Sequence, residues 1–135
     1  MATLLDAIET ATVAYLNTLS VGATVVAGIS KTDKPDPVVV CTALKLEQGE
    51  EGANADLTLS VEVKAGTAAM FKSVCEAVEN GLWLEDSETL GTQIEQNGTD
   101  ITVYGAKVAP TIEREVTEEM FIERLTIELH CSHTV

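Results

Sequence analysis

The sequence predicts an α+β fold, a two-layer sandwich in which two helices cover one face of an antiparallel sheet of about four to five strands, in the order αββαββ. Two observations predict it. Apolar residues recur every three or four positions in two segments, Thr3 to Leu19 and Thr67 to Gly81, as they do on one face of a helix. Other segments alternate apolar and polar residues, as strands do, and their short connections favour antiparallel pairing.

Both predicted helices carry start signals. Thr3 followed by Asp6 is a capping-box pattern, and Thr67 after Gly66 is a typical N-cap. Asn80-Gly81 is a stop signal for the second helix. The helical residues that we expect to face the sheet are Leu5, Ile8, Phe71, Val74 and Val78.

Alternation predicts four long strands and a possible short one: Val38 to Glu47, Leu57 to Lys64, Ile101 to Val108, Met120 to Cys131 and, before the hairpin dipeptide Asn97-Gly98, Thr92 to Gln96. The first two form a hairpin around the polar loop Gln48 to Asp56. We expect the core face of the sheet to consist of Val38, Val40, Leu44, Leu46, Leu57, Leu59, Val61, Val63, Leu125, Ile127 and Leu129. Glu123 interrupts this face in the last strand.

Composition and charge limit the class of protein. The chain has 135 residues, of which 45% are hydrophobic, with 8 basic against 22 acidic side chains and a formal net charge of -14. This length and apolar content predict a single domain over residues 1–135, with a radius of gyration of roughly 14 Å. So few basic residues argue against wrapping DNA or an anionic membrane. The sequence shows no membrane span or signal peptide, so we expect an intracellular site of synthesis.

The sequence shows no catalytic or nucleotide-binding motif, and it predicts no enzyme activity, cofactor or metal site. Cys41, Cys75 and Cys131 are too far apart in sequence for a paired-cysteine metal motif, and we expect them to be buried structural thiols. His130 and Cys131 would face opposite sides of a strand, which disfavours a zinc site there.

The segment from Thr111 to Glu119 is predicted to be an exposed loop, and the hairpin around residues 109–121 to project from the domain. A twelve-residue strand from Met120 would reach about 40 Å, beyond the expected diameter. The acidic residues of this segment form either a solvated charged rim or a functional surface facing a channel or a neighbouring subunit: Glu113, Glu115, Glu118 and Glu119. The candidate oligomer contacts at its base are Met120, Phe121, Ile122 and Arg124.

The order of elements resembles the small tail terminator and tail completion proteins of tailed bacteriophages. The features that carry the resemblance are the amino-terminal helix, the strand entered through Pro37-Val38-Val39-Val40, the mid-chain helix and the final strand with Leu125-Thr126-Ile127-Glu128-Leu129. The resemblance implies a structural virion protein of the neck, made in the bacterial cytoplasm. It would form a ring, commonly hexameric, on the head-proximal end of the tail tube, where it ends tube polymerisation and joins the tail to the head connector. Its partners would be its own copies, the tube protein and the connector proteins, with DNA only as passing cargo and no membrane.

Two other functions remain open from the sequence. One is a small soluble ligand-binding domain or enzyme, with Tyr15, Trp83 and Tyr104 lining a pocket between helix and sheet. The other is an adaptor subunit of a contractile injection or baseplate assembly, which shares the same physical features. Symmetry and mass in solution or in particles would separate a ring from a monomer with a closed pocket.

Overall fold

The structure is a computed structural model that describes residues 3–28, 37–48, 54–83 and 87–133. Its elements are, in chain order, α1 (Leu4–Thr18), β1 (Thr24–Ala27), β2 (Val38–Gln48), β3 (Ala55–Ala65), α2 (Ala68–Leu82), α3 (Ser87–Gln96), β4 (Ile101–Val108), β5 (Glu113–Val116) and β6 (Phe121–His133). The strands form one sheet in the order β1-β2-β3-β6-β4, with β5 beside β6. The predicted α+β class is confirmed. Of the predicted loop from Gln48 to Asp56, residues 49–53 lie outside the described residues.

The sheet is mixed and has six strands, so the prediction of a purely antiparallel sheet with four or five is wrong. β1 runs parallel to β2, with Thr24 opposite Val38, while the other pairs are antiparallel. Short connections are typical of antiparallel neighbours, and β1 has only four residues in which alternation could show. Gly28, the residue after β1, leaves no room for a side chain, because a Cβ there would overlap the Thr42 side chain.

The two predicted helices begin where their capping signals stand. Thr3 Oγ1 accepts a hydrogen bond from the Asp6 N–H at 3.1 Å, and Thr67 Oγ1 accepts one from the Met70 N–H at 3.3 Å. Each side chain satisfies a backbone donor that has no partner within its helix. Both start signals are thereby confirmed.

The core lies between the helices and one face of the sheet, which we call the inner face. Most residues predicted to meet there are buried in it: Ile8, Leu57, Leu59, Val61, Val63, Phe71, Val74, Val78, Leu125, Ile127 and Leu129. Leu5 and Leu46 pack against this core while remaining partly exposed.

The predicted inner face is wrong for three residues of β2: Val38, Val40 and Leu44. Val39 and Cys41 pair with Val63 and Val61 and share their inner face, so Val38 and Val40 are buried on the other side of the sheet, the outer face. Because three valines follow one another here, alternation could not decide which face is inside. Leu44 lies at a β-bulge and is 62% exposed.

A third helix replaces the predicted short strand and hairpin turn. Thr92 to Gln96 belong to α3, whose Leu90 and Ile94 lie one turn apart and are buried. Asn97-Gly98 ends this helix: the Gly98 N–H donates to the Glu95 carbonyl at 3.0 Å. None of the helices that the structure describes is long and apolar enough to cross a membrane.

Candidate assembly surface at the hairpin of β5 and β6

The segment predicted to be an acidic loop contains a strand. β5 pairs with the first residues of β6, with Glu113 opposite Arg124 and Val116 opposite Phe121. The Thr117 hydroxyl accepts a hydrogen bond from the Met120 N–H at 2.9 Å and closes the turn between them. Every residue of β5 is exposed, so the sequence offered no apolar alternation that would have revealed it.

The outer side of this hairpin carries a cluster of alternating charges. Glu113 lies directly opposite Arg124, and Glu115 lies two residues farther along the same face of β5, opposite Ile122. The Arg124 guanidinium contacts Glu62 at 2.8 Å (Nε to Oε2) and Glu115 at 3.8 Å (Nη2 to Oε2). The hydrogen bond with Glu62 raises the pKa of Arg124 above its usual value. Two of the four predicted acidic residues therefore lie around a cation, which partly compensates their charge.

The other two acidic residues lie in the turn. Glu118 and Glu119 are exposed between Thr117 and Met120, away from Arg124 in the strand register. The four glutamates thus follow one edge of the hairpin and do not converge on a single point.

The four candidate oligomer contacts differ in how available they are. Phe121 stacks on Phe71 of α2 with ring centroids 5.6 Å apart, and Ile122 is buried. Met120 is half-buried, and Arg124 is held in ion pairs. The exposed apolar side chain of the hairpin is Val116, at 71% exposure, which is not among the four predicted contacts.

On its inner side the hairpin is fixed to the rest of the protein by an ion pair. Arg114 Nε of β5 donates to Glu123 Oε1 of β6 at 2.7 Å, and Glu123 is only 1% exposed. The same guanidinium lies 5.3 Å from the centre of the Phe71 ring on α2. Arg114 therefore links β5 to both layers of the fold, and it accounts for the charged residue on the inner face of β6.

Two residues of α2 complete a polar cluster beside this ion pair. One ligand atom each of Cys75, Glu79 and Glu123 lies within 4.8 Å of the others. Burial raises the pKa of the Cys75 thiol to about 12, with a further contribution from the charge of Glu123. Burial also raises the pKa of Glu79, and the nearby Glu123 carboxylate adds to the effect.

The aromatic residues considered for a ligand pocket do not converge. Tyr15 is buried on the helical side, where its hydroxyl donates to the Gly81 carbonyl at 2.6 Å. Tyr104 lies on the outer face and is 50% exposed, with its hydroxyl 3.1 Å from Ser132 Oγ. Trp83 is exposed at the end of α2.

The outer face of the sheet carries a shallow groove of about 450 Å³ between β3, β6 and β4. His130 lies in its lining, with Nδ1 2.8 Å from Asp56 Oδ1. Cys131 is buried on the opposite face of the same strand. The two residues therefore point to opposite sides of the sheet, as the alternation predicted.

Both sides of the sheet end in strands with an open edge. In the part of the chain that the structure describes, β1 pairs with β2 alone on one side, and β4 and β5 each pair with β6 alone on the other. The outer edge of such a strand presents backbone N–H and C=O groups to which another strand can be added. β1 and β5 have four residues and could each take a short neighbouring strand, whereas β4 has eight.

No protein-family model matches the chain, and no curated protein matches it. A solved structure described as the virion of a native gene transfer agent particle contains a chain with a similar fold. The match covers 96% of this chain and 94% of that chain, with a TM-score of 0.57 and 17% sequence identity. At this identity the likeness shows a shared fold, which extends over nearly the whole of both chains.

Proposed function

We propose that the protein is a non-catalytic structural component of a phage-like virion. The observation that carries the proposal is the end-to-end likeness to a chain of the gene transfer agent particle. A fold alone does not determine function, because one fold serves many. The second support is the hairpin of β5 and β6, which presents an open strand edge, the exposed Val116 and a row of charges at one side of the sheet.

Within the virion we propose the role of tail terminator or tail completion protein. The protein would form a ring, hexameric by the resemblance, at the head-proximal end of the tail tube. The ring would stop tube polymerisation and join the tail to the head connector. Contact of the β5 side of one subunit with a different surface of the next is a head-to-tail interface, which closes into a ring when the rotation permits.

The charge of the chain is compatible with DNA passing through such a ring. Each copy carries a net charge of -14, so the ring would be strongly anionic. If the exposed turn with Glu118 and Glu119 faces the channel, its wall would repel the phosphates of double-stranded DNA. DNA would then pass without binding.

Mass and symmetry test this proposal directly. Purified protein, alone and mixed with tail tubes, is analysed by sedimentation and by negative-stain electron microscopy. We expect rings with a central hole, either free or on one end of the tubes. A protein that stays monomeric and leaves the tubes bare would contradict the proposal, while binding at the baseplate end would favour the adaptor role.

A matched pair of variants locates the interface. Val116→Lys places a charge on the exposed edge of the hairpin, and Leu44→Lys places the same charge on another exposed apolar residue, 62% exposed on β2. We expect Val116→Lys to abolish ring formation and Leu44→Lys to preserve it. Circular dichroism should show that both variants are folded. Equal effects of the two would contradict an interface at β5.

A further inference from the structure

We propose that Cys75, Glu79 and Glu123 form a binding site for a divalent transition-metal ion of the zinc class. The site lies between α2 and β6, on the inner side of the hairpin. This inference is independent of the proposed role in a virion, because it concerns a cluster inside one subunit.

The geometry of the cluster is close to that of a metal site. The Cys75 thiol sulfur and one carboxylate oxygen from each glutamate lie within 4.8 Å of one another. Tetrahedral zinc, with bonds of about 2.0 to 2.3 Å, places its ligand atoms about 3.3 to 3.8 Å apart. Since Glu79 is only partly buried, rotation of its side chain can supply the remaining shift of about 1 Å and leave a fourth position for water.

An unpaired buried oxygen points to a missing ligand. Glu123 is 1% exposed, and its Oε1 is held by Arg114, while its Oε2 has no donor at hydrogen-bonding geometry among the residues that the structure describes, although Glu79 lies close enough to share a proton with this carboxylate. A buried carboxylate oxygen without a partner is costly in free energy. In metal sites one oxygen of a carboxylate commonly binds the ion while the other is fixed by a hydrogen bond. Arg114 makes this hydrogen bond to Glu123 Oε1 here.

The charges of the cluster balance when a divalent cation is added. With the thiol and both carboxylates ionised, three negative groups face the one positive charge of Arg114, and two added positive charges make the group neutral. A thiolate among the ligands selects zinc, cobalt or cadmium over magnesium and calcium.

Cobalt provides a test in the wild-type protein. Tag-free protein is treated with a chelator, dialysed and titrated with Co²⁺, and with Zn²⁺ in parallel. We expect one ion per chain, a thiolate-to-cobalt charge-transfer absorption and release of the Cys75 thiol proton to the buffer. Zinc at a hundredfold excess over its dissociation constant should raise the melting temperature by about 10 °C. Absence of the charge-transfer band or of stoichiometric binding would overturn the proposal.

Variants then locate the ion. Cys75→Ser and Glu79→Gln should each weaken zinc binding by more than about tenfold. Cys131→Ser is the matched control, since Cys131 is also a buried thiol but lies outside the cluster. Binding that survives both cluster substitutions, or that is lost equally with Cys131→Ser, would overturn the proposal. Glu79→Gln changes a partly exposed side chain, so it gives an answer even if Cys75→Ser does not fold.

Discussion

Glu9 Oε2 of α1 accepts a hydrogen bond from the backbone N–H of Ala43 in β2, at 2.7 Å. Ala43 immediately precedes the β-bulge, where the pairing of β2 with β3 shifts by one residue and Leu44 is left exposed. The carboxylate supplies an acceptor at the point where the strand ladder is disrupted. A helix of one layer thereby fixes an irregularity in the sheet.

The same arrangement occurs a second time. Glu95 Oε1 of α3 accepts a hydrogen bond from the Val103 N–H at 2.8 Å, just before the register shift in β4. Tyr104, the residue at the shift, is exposed on the outer face. Both bulges therefore have a helix glutamate bound to the strand just before the register shift and an exposed residue at the shift.

Removing the Glu9 acceptor should destabilise the protein. Glu9→Ala leaves the Ala43 N–H without its partner and should lower the free energy of unfolding by about 1 to 3 kcal/mol. Glu9→Gln keeps a carbonyl acceptor and should cost less. Urea denaturation measures both, with the exposed Glu76→Ala on α2 as the control. Equal stability of the Glu9→Ala variant and the wild type would contradict a role for Glu9 at the bulge.

Two leucines on neighbouring strands should respond very differently to the same substitution. Leu59 is completely buried, and Leu59→Ala should cost about 2 to 5 kcal/mol in unfolding free energy. Leu44→Ala should change it by less than about 0.5 kcal/mol, because that side chain is mostly in water. Chemical denaturation measures the unfolding free energy of both variants. A loss below about 1 kcal/mol for Leu59→Ala would contradict its place in the core.

The sequence predicted best those elements that have one buried and one exposed face. In β3 the apolar residues from Leu57 to Val63 alternate with polar ones. This one pattern predicts both the strand and the side chains that face the core. In β2 the consecutive valines 38–40 predict a strand but do not indicate which side of it faces the core. α3 buries Leu90 and Ile94 within ten residues, and its stop signal Asn97-Gly98 is also a hairpin signal, so local pattern favoured the wrong element.

The candidate surface was only partly predictable, for a different reason. The acidic residues of the hairpin are evident from the sequence. So is the charge of Glu123, which interrupts the apolar inner face of the last strand. The pairing of Glu123 with Arg114 depends on the register of β5 and β6. All residues of β5 are exposed, so no apolar pattern predicts this strand. The proximity of Glu123 to Cys75 and Glu79 depends in turn on how α2 packs on the sheet, which no local pattern contains.

The two arginines of the hairpin should differ in their contribution to stability. Arg114→Met leaves the buried Glu123 carboxylate without its cation and should cost about 1 to 3 kcal/mol, a range reduced because Arg114 itself is half exposed. Arg124→Met breaks a pair whose carboxylate, on Glu62, is 23% exposed and keeps access to water, so it should cost less than Arg114→Met. Unfolding curves compare the two. A larger loss for Arg124→Met would contradict the role of Arg114 as the link between β5 and the core.

Glu79 should make stability depend on pH in the absence of metal. Its pKa is raised in the folded protein, so its contribution to stability is fully present below the usual glutamate value and is lost as pH rises through the raised value. Glu79→Gln lacks this loss. The stability of the variant relative to wild type should therefore increase from pH 4 to pH 8, measured by urea denaturation with a chelator present. A difference that stays constant over this range would contradict the raised pKa.

The acidic edge of the hairpin should act through its summed charge. Single replacements of Glu113, Glu115, Glu118 or Glu119 by Lys should change assembly little, because exposed charges are screened over roughly 8 Å at physiological salt. Replacing all four reverses the sign of the edge, removes the partners of Arg124 on β5 and places a basic patch on every subunit. We expect this variant to block ring assembly or to retard DNA passage through the ring.

A control with the same change in net charge separates location from total charge. It replaces four exposed glutamates elsewhere by Lys: Glu47, Glu76, Glu88 and Glu128. Electron microscopy of rings on tail tubes and a DNA delivery assay then compare the two quadruple variants. Loss with the hairpin variant alone would support a surface that faces the channel or the neighbouring subunit. If the hairpin variant assembles and delivers DNA as the wild type does, these glutamates form a solvated rim, because a functional surface could not tolerate reversal of all four charges.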